Sequence, residues 1–290
     1  MSAYDLLIGP FAEFAFMRRA LVGAMVLALG SCPVGVFLML RRMSLTGDAM
    51  AHAILPGAAA GFLISGLQIL PMTLGGLIAG LAVALASGAV ARLTILKEDT
   101  SLAAFYLMSL ALGVLLVSLK GSSVDLMHVL FGSVLALNDD ALVLTGGIAT
   151  VTLITLAAIW RPLFAECLDP LFLRSVSRSG PVVHLIFLAL AVLNLVGGFQ
   201  ALGTLLAVGL MMLPAAAARL WVRGLEAMMA VAVLIGMASC YLGLIASYHL
   251  GVATGPAIVL TAGLVYLVSI FAGRQGAIRS RITPVKHRAG

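Results

Sequence analysis

Long apolar stretches, separated by short polar segments, run along nearly the whole chain. A helix needs about 20 mostly apolar residues to cross the roughly 30 Å hydrocarbon layer of a membrane. Nine stretches approach or meet that length. The pattern therefore predicts an all-α polytopic membrane protein with about nine transmembrane helices. We expect them at residues 20–40, 48–66, 70–93, 102–119, 140–160, 181–200, 201–220, 226–248 and 252–272.

Composition supports a lipid environment and a single domain. Of the 290 residues, 62% are hydrophobic and 10% are charged, whereas soluble domains carry about 25% charged residues. The chain has too few polar residues to cover a soluble protein, so its main solvent is the lipid bilayer. We expect one transmembrane domain over residues 1–290, with the bundle at about 10–272 and a basic tail at 273–290.

The basic residues predict how the chain is oriented. If the C-terminus is cytoplasmic, the inner loops and tail hold all of the 17 Lys and Arg residues except Arg18, Arg19 and Lys120. Cytoplasmic loops of membrane proteins carry an excess of Lys and Arg. The N-terminus is therefore predicted outside and the C-terminus inside. The net charge of +6 reflects this asymmetry and does not indicate a nucleic-acid partner.

Asp48 and His52 are the first candidate site because both are ionisable and both lie in a predicted span. Ionisable side chains within a membrane are costly and commonly mark ion paths. A spacing of four residues places both on one helix face. A carboxylate oxygen and an imidazole nitrogen are ligands for zinc, manganese or iron. A metal half-site, completed by a second copy of the chain or by water, and a purely structural Asp–His contact both fit this pattern.

A short semi-apolar segment, residues 124–132, follows the fourth predicted span on the outer side. It contains Asp125 and His128, which are close enough in sequence to form a metal entrance. Packing of the histidine at the membrane interface is the alternative, because an imidazole has an apolar body and a polar tip.

The longest internal cytoplasmic segment is predicted at residues 161–180. Its charged residues, among them Asp169 and Arg174, alternate with apolar ones such as Phe172. This mixture is typical of a short amphipathic helix that lies against a soluble partner. A solvated connecting loop is the alternative.

Two missing sequence motifs restrict the function. The chain contains no GxxxxGK[ST] and no HExxH, so neither a P-loop ATPase nor a zinc protease of the HExxH type is predicted. The three cysteines, Cys32, Cys167 and Cys240, are far apart and contain no CxxC pair. A permease driven by a separate ATPase, a proton-coupled metal carrier and an intramembrane metal-dependent enzyme remain as hypotheses.

Several ordered motifs resemble the zinc, manganese and iron permeases of the ABC-3 family. They are the run RRMSLTGDAMAHA at residues 41–53, VDLM and LFG within residues 124–132, GTLL and LPAAAA within residues 203–218, and Gly255-Pro256. The matching region extends from about residue 10 to residue 272. The cytoplasmic segment departs from the family pattern, which has Asp-Pro-Glu and a glycine eight residues after the aspartate. Here Leu171 follows Asp169-Pro170, and the first glycine after them is Gly180.

The resemblance implies a homodimeric permease in the bacterial inner membrane, with no permanently bound cofactor. It implies a pair of cytoplasmic ATP-binding subunits, which hydrolyse ATP, and an extracytoplasmic metal-binding protein. It further implies that Asp48 and His52 coordinate the transported ion and that the segment containing Asp169, Phe172 and Arg174 couples to the ATPase. Zinc is the expected cargo, because the segment at 124–132 is most similar to the zinc permeases.

Overall fold

Helices account for all the regular structure in the part of the chain described by the computed structural model, residues 3–66, 68–96, 98–118, 137–168 and 180–276. Thirteen helices occur in these ranges. They are α1 (Ala3–Leu7), α2 (Gly9–Glu13), α3 (Ala15–Leu40), α4 (Ser44–Ala53), α5 (Leu55–Ser65), α6 (Ile69–Leu93), α7 (Glu98–Ser118), α8 (Asp139–Ala158), α9 (Trp160–Leu168), α10 (Gly180–Leu202), α11 (Thr204–Trp221), α12 (Leu225–Leu250) and α13 (Thr254–Ala272).

The predicted all-helical membrane fold is confirmed. Eight helical segments of the described residues are long and apolar enough to cross a membrane. A shorter apolar helix, Thr100–Leu116, corresponds to the predicted span at 102–119. The apolar hairpin at 181–220 is two helices, α10 and α11, joined at Gly203. Its φ of +96° lies in a region that glycine adopts without steric cost.

The second predicted span, 48–66, differs from the structure in two ways. The helical segment already begins at Ser44, and it is divided at Ile54 into α4 and α5. Pro56 lies in the first turn of α5. Proline has no N–H to donate to the carbonyl four residues earlier, which here belongs to His52. The proline therefore interrupts the helix directly after the candidate site.

Glycines allow α5 and α6 to approach closely, as expected for small residues in membrane bundles. A Cβ atom on Gly57 would lie 1.9 Å from the carbonyl oxygen of Gly75, and one on Gly61 would lie 2.6 Å from that of Pro71. No side chain fits between the two backbones at these points. The close contact holds α5, and with it the broken end of α4, against α6.

The core has two main regions. One lies around α3, α11 and α12 and includes Leu27, Leu210 and Leu244. The other lies where α4 and α9 pack against α10 and includes Met50, Leu163 and Phe187, all buried. The second region covers one face of α4 and leaves the opposite face for the candidate site.

We name the two ends of the bundle after Arg19, near the start of α3, and Arg41, which directly follows it. At the Arg19 end, α1 is held to the end of α12, because Tyr241 donates a hydrogen bond to the Leu7 carbonyl and the His249 ring contacts the Leu6 carbonyl. At the Arg41 end, the chain reverses from α3 into α4, and α9 and the start of α10 pack beside the turn.

Candidate functional site

Asp48 and His52 lie on α4, near the Arg41 end. With a rise of 1.5 Å per residue, they are about 6 and 12 Å along the helix axis from Ser44. The spacing of four residues places them on one face, as predicted: the Asp48 Oδ1–His52 Nε2 distance is 3.9 Å. This distance is too long for a direct hydrogen bond.

The same distance suits a shared cation. Imidazole and carboxylate ligands lie about 2.0–2.2 Å from a zinc ion, so one ion of that size can reach two atoms as much as about 4.2 Å apart. The side chains of Asp48 and His52 are 66% and 35% exposed, so both have room to adjust. The pair can supply one oxygen and one nitrogen ligand.

Tyr106 is a neighbour of the site that sequence reasoning missed. It projects from α7, and its ring stacks on His52 with the centroids 6.3 Å apart and an interplanar angle of 30°. Ser109, three residues later on α7, donates a hydrogen bond of 2.9 Å to the Ala53 carbonyl. These contacts hold α7 beside the site. The presence of a tyrosine within an apolar span was a signal in the sequence. The sequence does not show, however, which neighbouring helix the tyrosine contacts.

Apart from the contact of Tyr106 with His52, the described residues leave the face of α4 that carries the pair uncovered. Leu45, one turn before Asp48, is 82% exposed. His52 Nδ1, in contrast, is buried and has no hydrogen-bond partner among the described residues. The described residues also contain no group of three or more His, Cys, Asp or Glu side chains arranged to hold a metal. As metal ligands, Asp48 and His52 would therefore form an incomplete set within these ranges.

The other predicted site residues lie outside the described residues. Asp125 and His128 belong to the stretch 119–136, while Asp169, Phe172 and Arg174 belong to 169–179. Of the predicted amphipathic segment at 161–180, the structure describes the first part, which is helical as α9. Trp160, at the start of α9, packs edge-on against Phe37 of α3, with ring centroids 5.7 Å apart.

A buried polar cluster at the Arg41 end was not predicted. Arg41 Nη2 lies 3.0 Å from Glu166 Oε1 of α9, with the two side chains 10% and 13% exposed. The same nitrogen contacts His184 Nδ1 of α10. The guanidinium lies over the Phe187 ring, 5.2 Å from its centroid. In the sequence Arg41 counted as an inner-loop charge and Glu166 as a charge of the segment 161–180, and their contact was not visible because they are 125 positions apart.

Cys167, next to Glu166 on α9, is partly buried. Burial raises the pKa of the Cys167 thiol to about 11; Arg41 opposes this rise and Glu166 adds to it. A thiol binds metals as the thiolate. At neutral pH the Cys167 thiol is therefore protonated.

Comparison with known proteins gives consistent results over almost the whole chain. Residues 13–273 match the model of the ABC 3 transport family. The chain is 34% identical over 264 residues to the manganese import system permease protein ScaB of Streptococcus parasanguinis, covering 91% of this chain and 93% of that protein. It is 31% identical over 285 residues to the chelated iron transport system membrane protein YfeD of Yersinia pestis, covering 98% and 92%.

A solved structure shows the same architecture. PsaBC from Streptococcus pneumoniae, in complex with Fab, superposes with a TM-score of 0.85 and 32% sequence identity, covering 96% of this chain and 99% of the matched chain. Together with the eight membrane-crossing segments, these likenesses identify a multi-pass bacterial membrane permease. It is a transport subunit and not an enzyme, since ATP hydrolysis in such systems belongs to a separate subunit. The chain therefore belongs to the ABC 3 transport family.

Proposed function

We propose that this chain forms the membrane path of an ATP-driven importer of a divalent metal ion, with manganese as the main cargo. The observation that carries the proposal is the Asp48–His52 pair, an oxygen and a nitrogen ligand 3.9 Å apart on an uncovered face of a membrane helix. Manganese is favoured because relatives such as ScaB and MntC are named for manganese transport. Iron is the next choice, from YfeD. The expected preference for zinc gains no support from these names.

We propose that a second copy of the chain covers the uncovered face of α4. A carboxylate exposed to hydrocarbon is costly, and charged residues in membrane proteins face the bundle interior or a water-filled cavity. Among the described residues Asp48 is 66% exposed, which supports a partner subunit or a water-filled path beside it. A second copy would contribute its own Asp48 and His52, and thereby complete a four-ligand site.

The remaining partners are proposed from the family resemblance. A pair of ATP-binding subunits would dock on the segment containing Asp169, Phe172 and Arg174, and an extracytoplasmic metal-binding protein would deliver the ion. In this arrangement the N-terminus is outside and the Arg41 end of the bundle faces the cytoplasm. Asp125 and His128 would then lie on the delivery side, as an entrance for the metal.

The test is Mn²⁺ uptake by proteoliposomes that contain the permease, its ATP-binding subunit and its binding protein. Asp48→Asn keeps the shape of the side chain but removes the negative charge, and His52→Leu removes the ligand nitrogen. Because changes in the outer shell of a metal site already cost about 10–100-fold in affinity, either variant should lower uptake by at least that factor. Asp140→Asn, an exposed carboxylate at the start of α8, is the matched control and should transport normally.

Several outcomes would contradict the proposal. Normal uptake by a well-assembled Asp48→Asn variant would exclude the metal site on α4. Loss of assembly and thermal stability together with uptake would assign the pair a structural role. Uptake that persists without the ATP-binding subunit would indicate a proton-coupled carrier. Competition among Mn²⁺, Fe²⁺ and Zn²⁺ in the same assay identifies the preferred metal.

A further inference from the structure

The buried Arg41–Glu166 pair joins three parts of the bundle at one point. Arg41 follows α3 directly, Glu166 belongs to α9, and the Arg41 guanidinium also contacts His184 and the Phe187 ring of α10. Any displacement of α9 therefore acts on the residue from which the chain turns into α4.

The pair is incompletely satisfied. Arg41 Nη1 and Glu166 Oε2 are both buried and have no hydrogen-bond partner among the described residues. A buried ion pair offsets the loss of hydration only when its remaining donors and acceptors are also paired. An incompletely paired buried cluster is thus weak evidence of a stabilising role, and it calls for another explanation.

The turn from α3 to α4 is short and is held by backbone hydrogen bonds. The Met43 N–H donates to the Leu38 carbonyl at 2.9 Å and the Arg42 N–H to the Met39 carbonyl at 3.1 Å. Arg42 has a φ of +59°. These are the two hydrogen bonds and the left-handed residue of a Schellman motif. The motif holds Arg42 and Met43 against the last turn of α3, and α4 begins at the next residue, Ser44. A shift of Arg41 would therefore act directly on the first turn of α4, which precedes Asp48.

On the α9 side, the Arg41–Glu166 pair lies close in sequence to the proposed docking segment. Glu166 lies two residues before the end of α9, and residues 169–179 follow directly. The buried Leu163 and the contact of Trp160 with Phe37 attach α9 to the rest of the Arg41 end. An ATP-binding subunit that pulls on residues 169–179 would therefore move Glu166.

We propose that Arg41 and Glu166 are positioning residues that convey movement of α9, driven by the ATP-binding subunit, to the metal-site helix α4. This inference rests on the proposed function, since it assigns a role in coupling ATP hydrolysis to ion movement. The connection runs from α9 through the Arg41–Glu166 ion pair and the Schellman turn to α4 and Asp48.

The test measures Mn²⁺ transported per ATP hydrolysed in proteoliposomes with the complete complex. Glu166→Gln keeps the size of the side chain but removes its charge. We expect the complex to assemble and to hydrolyse ATP, while the ratio of transported Mn²⁺ to ATP falls at least about fivefold, the lower end of typical coupling between sites. Asp139→Asn, which breaks the exposed Arg19–Asp139 pair at the opposite end, should leave the ratio unchanged.

Charge exchange separates coupling from simple structural support. Arg41→Glu combined with Glu166→Arg restores an ion pair and should recover part of the ratio, which each single exchange lowers. A Glu166→Gln variant with the wild-type ratio would overturn the inference. The inference would also be overturned if assembly, ATP hydrolysis and uptake all fell together in this variant while the ratio of transported Mn²⁺ to hydrolysed ATP stayed constant. If the Glu166→Gln complex does not assemble, Arg41→Lys is tested instead, because lysine keeps the positive charge but lacks the planar guanidinium group. The same ratio of transported Mn²⁺ to hydrolysed ATP should then fall.

Failure of the proposed function would have a different signature. In that case the wild-type complex transports no Mn²⁺ with ATP, or Asp48→Asn transports normally. Failure of the inference alone leaves wild-type transport and its dependence on Asp48 intact.

Discussion

Two ion pairs hold opposite ends of α3 to neighbouring helices, and they differ in how far solvent reaches them. Arg19 Nε lies 3.2 Å from Asp139 Oδ1 of α8, with the side chains 51% and 76% exposed. Arg41 lies 3.0 Å from Glu166 of α9, with both side chains largely buried. The two arginines are separated by about 33 Å along the helix axis. The nitrogen–oxygen distances of the two ion pairs, 3.2 and 3.0 Å, are nearly equal.

The comparison shows that equal geometry does not mean equal energetic roles. An exposed pair gains little, because solvent and salt weaken the attraction. A buried pair has lost its hydration, so removing one partner leaves a charge with no compensation. The Arg19 end also has neutral contacts, such as the stacking of Phe11 on Tyr241 with ring centroids 5.4 Å apart. At the Arg41 end, by contrast, the charged pair lies next to buried apolar side chains such as Leu163 and Phe187.

The largest expected effect on stability is that of Arg41→Met. It leaves Glu166 buried without a partner and should lower the free energy of unfolding by about 3–5 kcal/mol. Thermal unfolding of the purified permease in detergent measures the change. Adding Glu166→Met removes the orphaned charge, so the double variant should be more stable than the single one. A double variant as unstable as the sum of both single changes would contradict this interpretation of the pair.

A smaller effect is expected from the turn beside the pair. Arg42→Val places a β-branched residue at a φ of +59°. The left-handed conformation already costs any residue other than glycine about 1–2 kcal/mol, and a β-branched side chain fits it worse than the unbranched arginine does. Valine should therefore lower stability by about 1 kcal/mol or more, in the same unfolding assay. Arg42→Ala controls for loss of the exposed side chain, and Arg42→Gly should be at least as stable as the wild type, because glycine avoids the steric cost that arginine already pays at this φ. Equal stability of the valine and glycine variants would argue against a fixed Schellman turn.

The smallest effect is expected from Arg19→Met. Exposed ion pairs typically contribute less than about 1 kcal/mol, so the midpoint of thermal unfolding should change little. High salt should reduce even that difference, because it screens the attraction in the wild-type protein. A change as large as that of Arg41→Met would remove the distinction between the two ends.

Sequence patterns determined the class of this protein and the local geometry of its candidate site. The lengths of the apolar stretches depend only on local composition, so the helical membrane fold followed from them, and eight long segments and the shorter Thr100–Leu116 appear as expected. The helical repeat likewise determined that Asp48 and His52 share a face of α4. The helix break at Ile54 could have been anticipated from Pro56.

Only the tertiary structure decided which faces of these helices meet. A helical pattern does not indicate which helices pack together, so neither the uncovered face of α4 nor the stacking of Tyr106 on His52 could be predicted. The Arg41–Glu166 contact joins residues 125 positions apart. Each lies beside a predicted membrane boundary, where a charge normally faces water. Burial depends on how α9 folds back onto α3, and no local pattern contains that information.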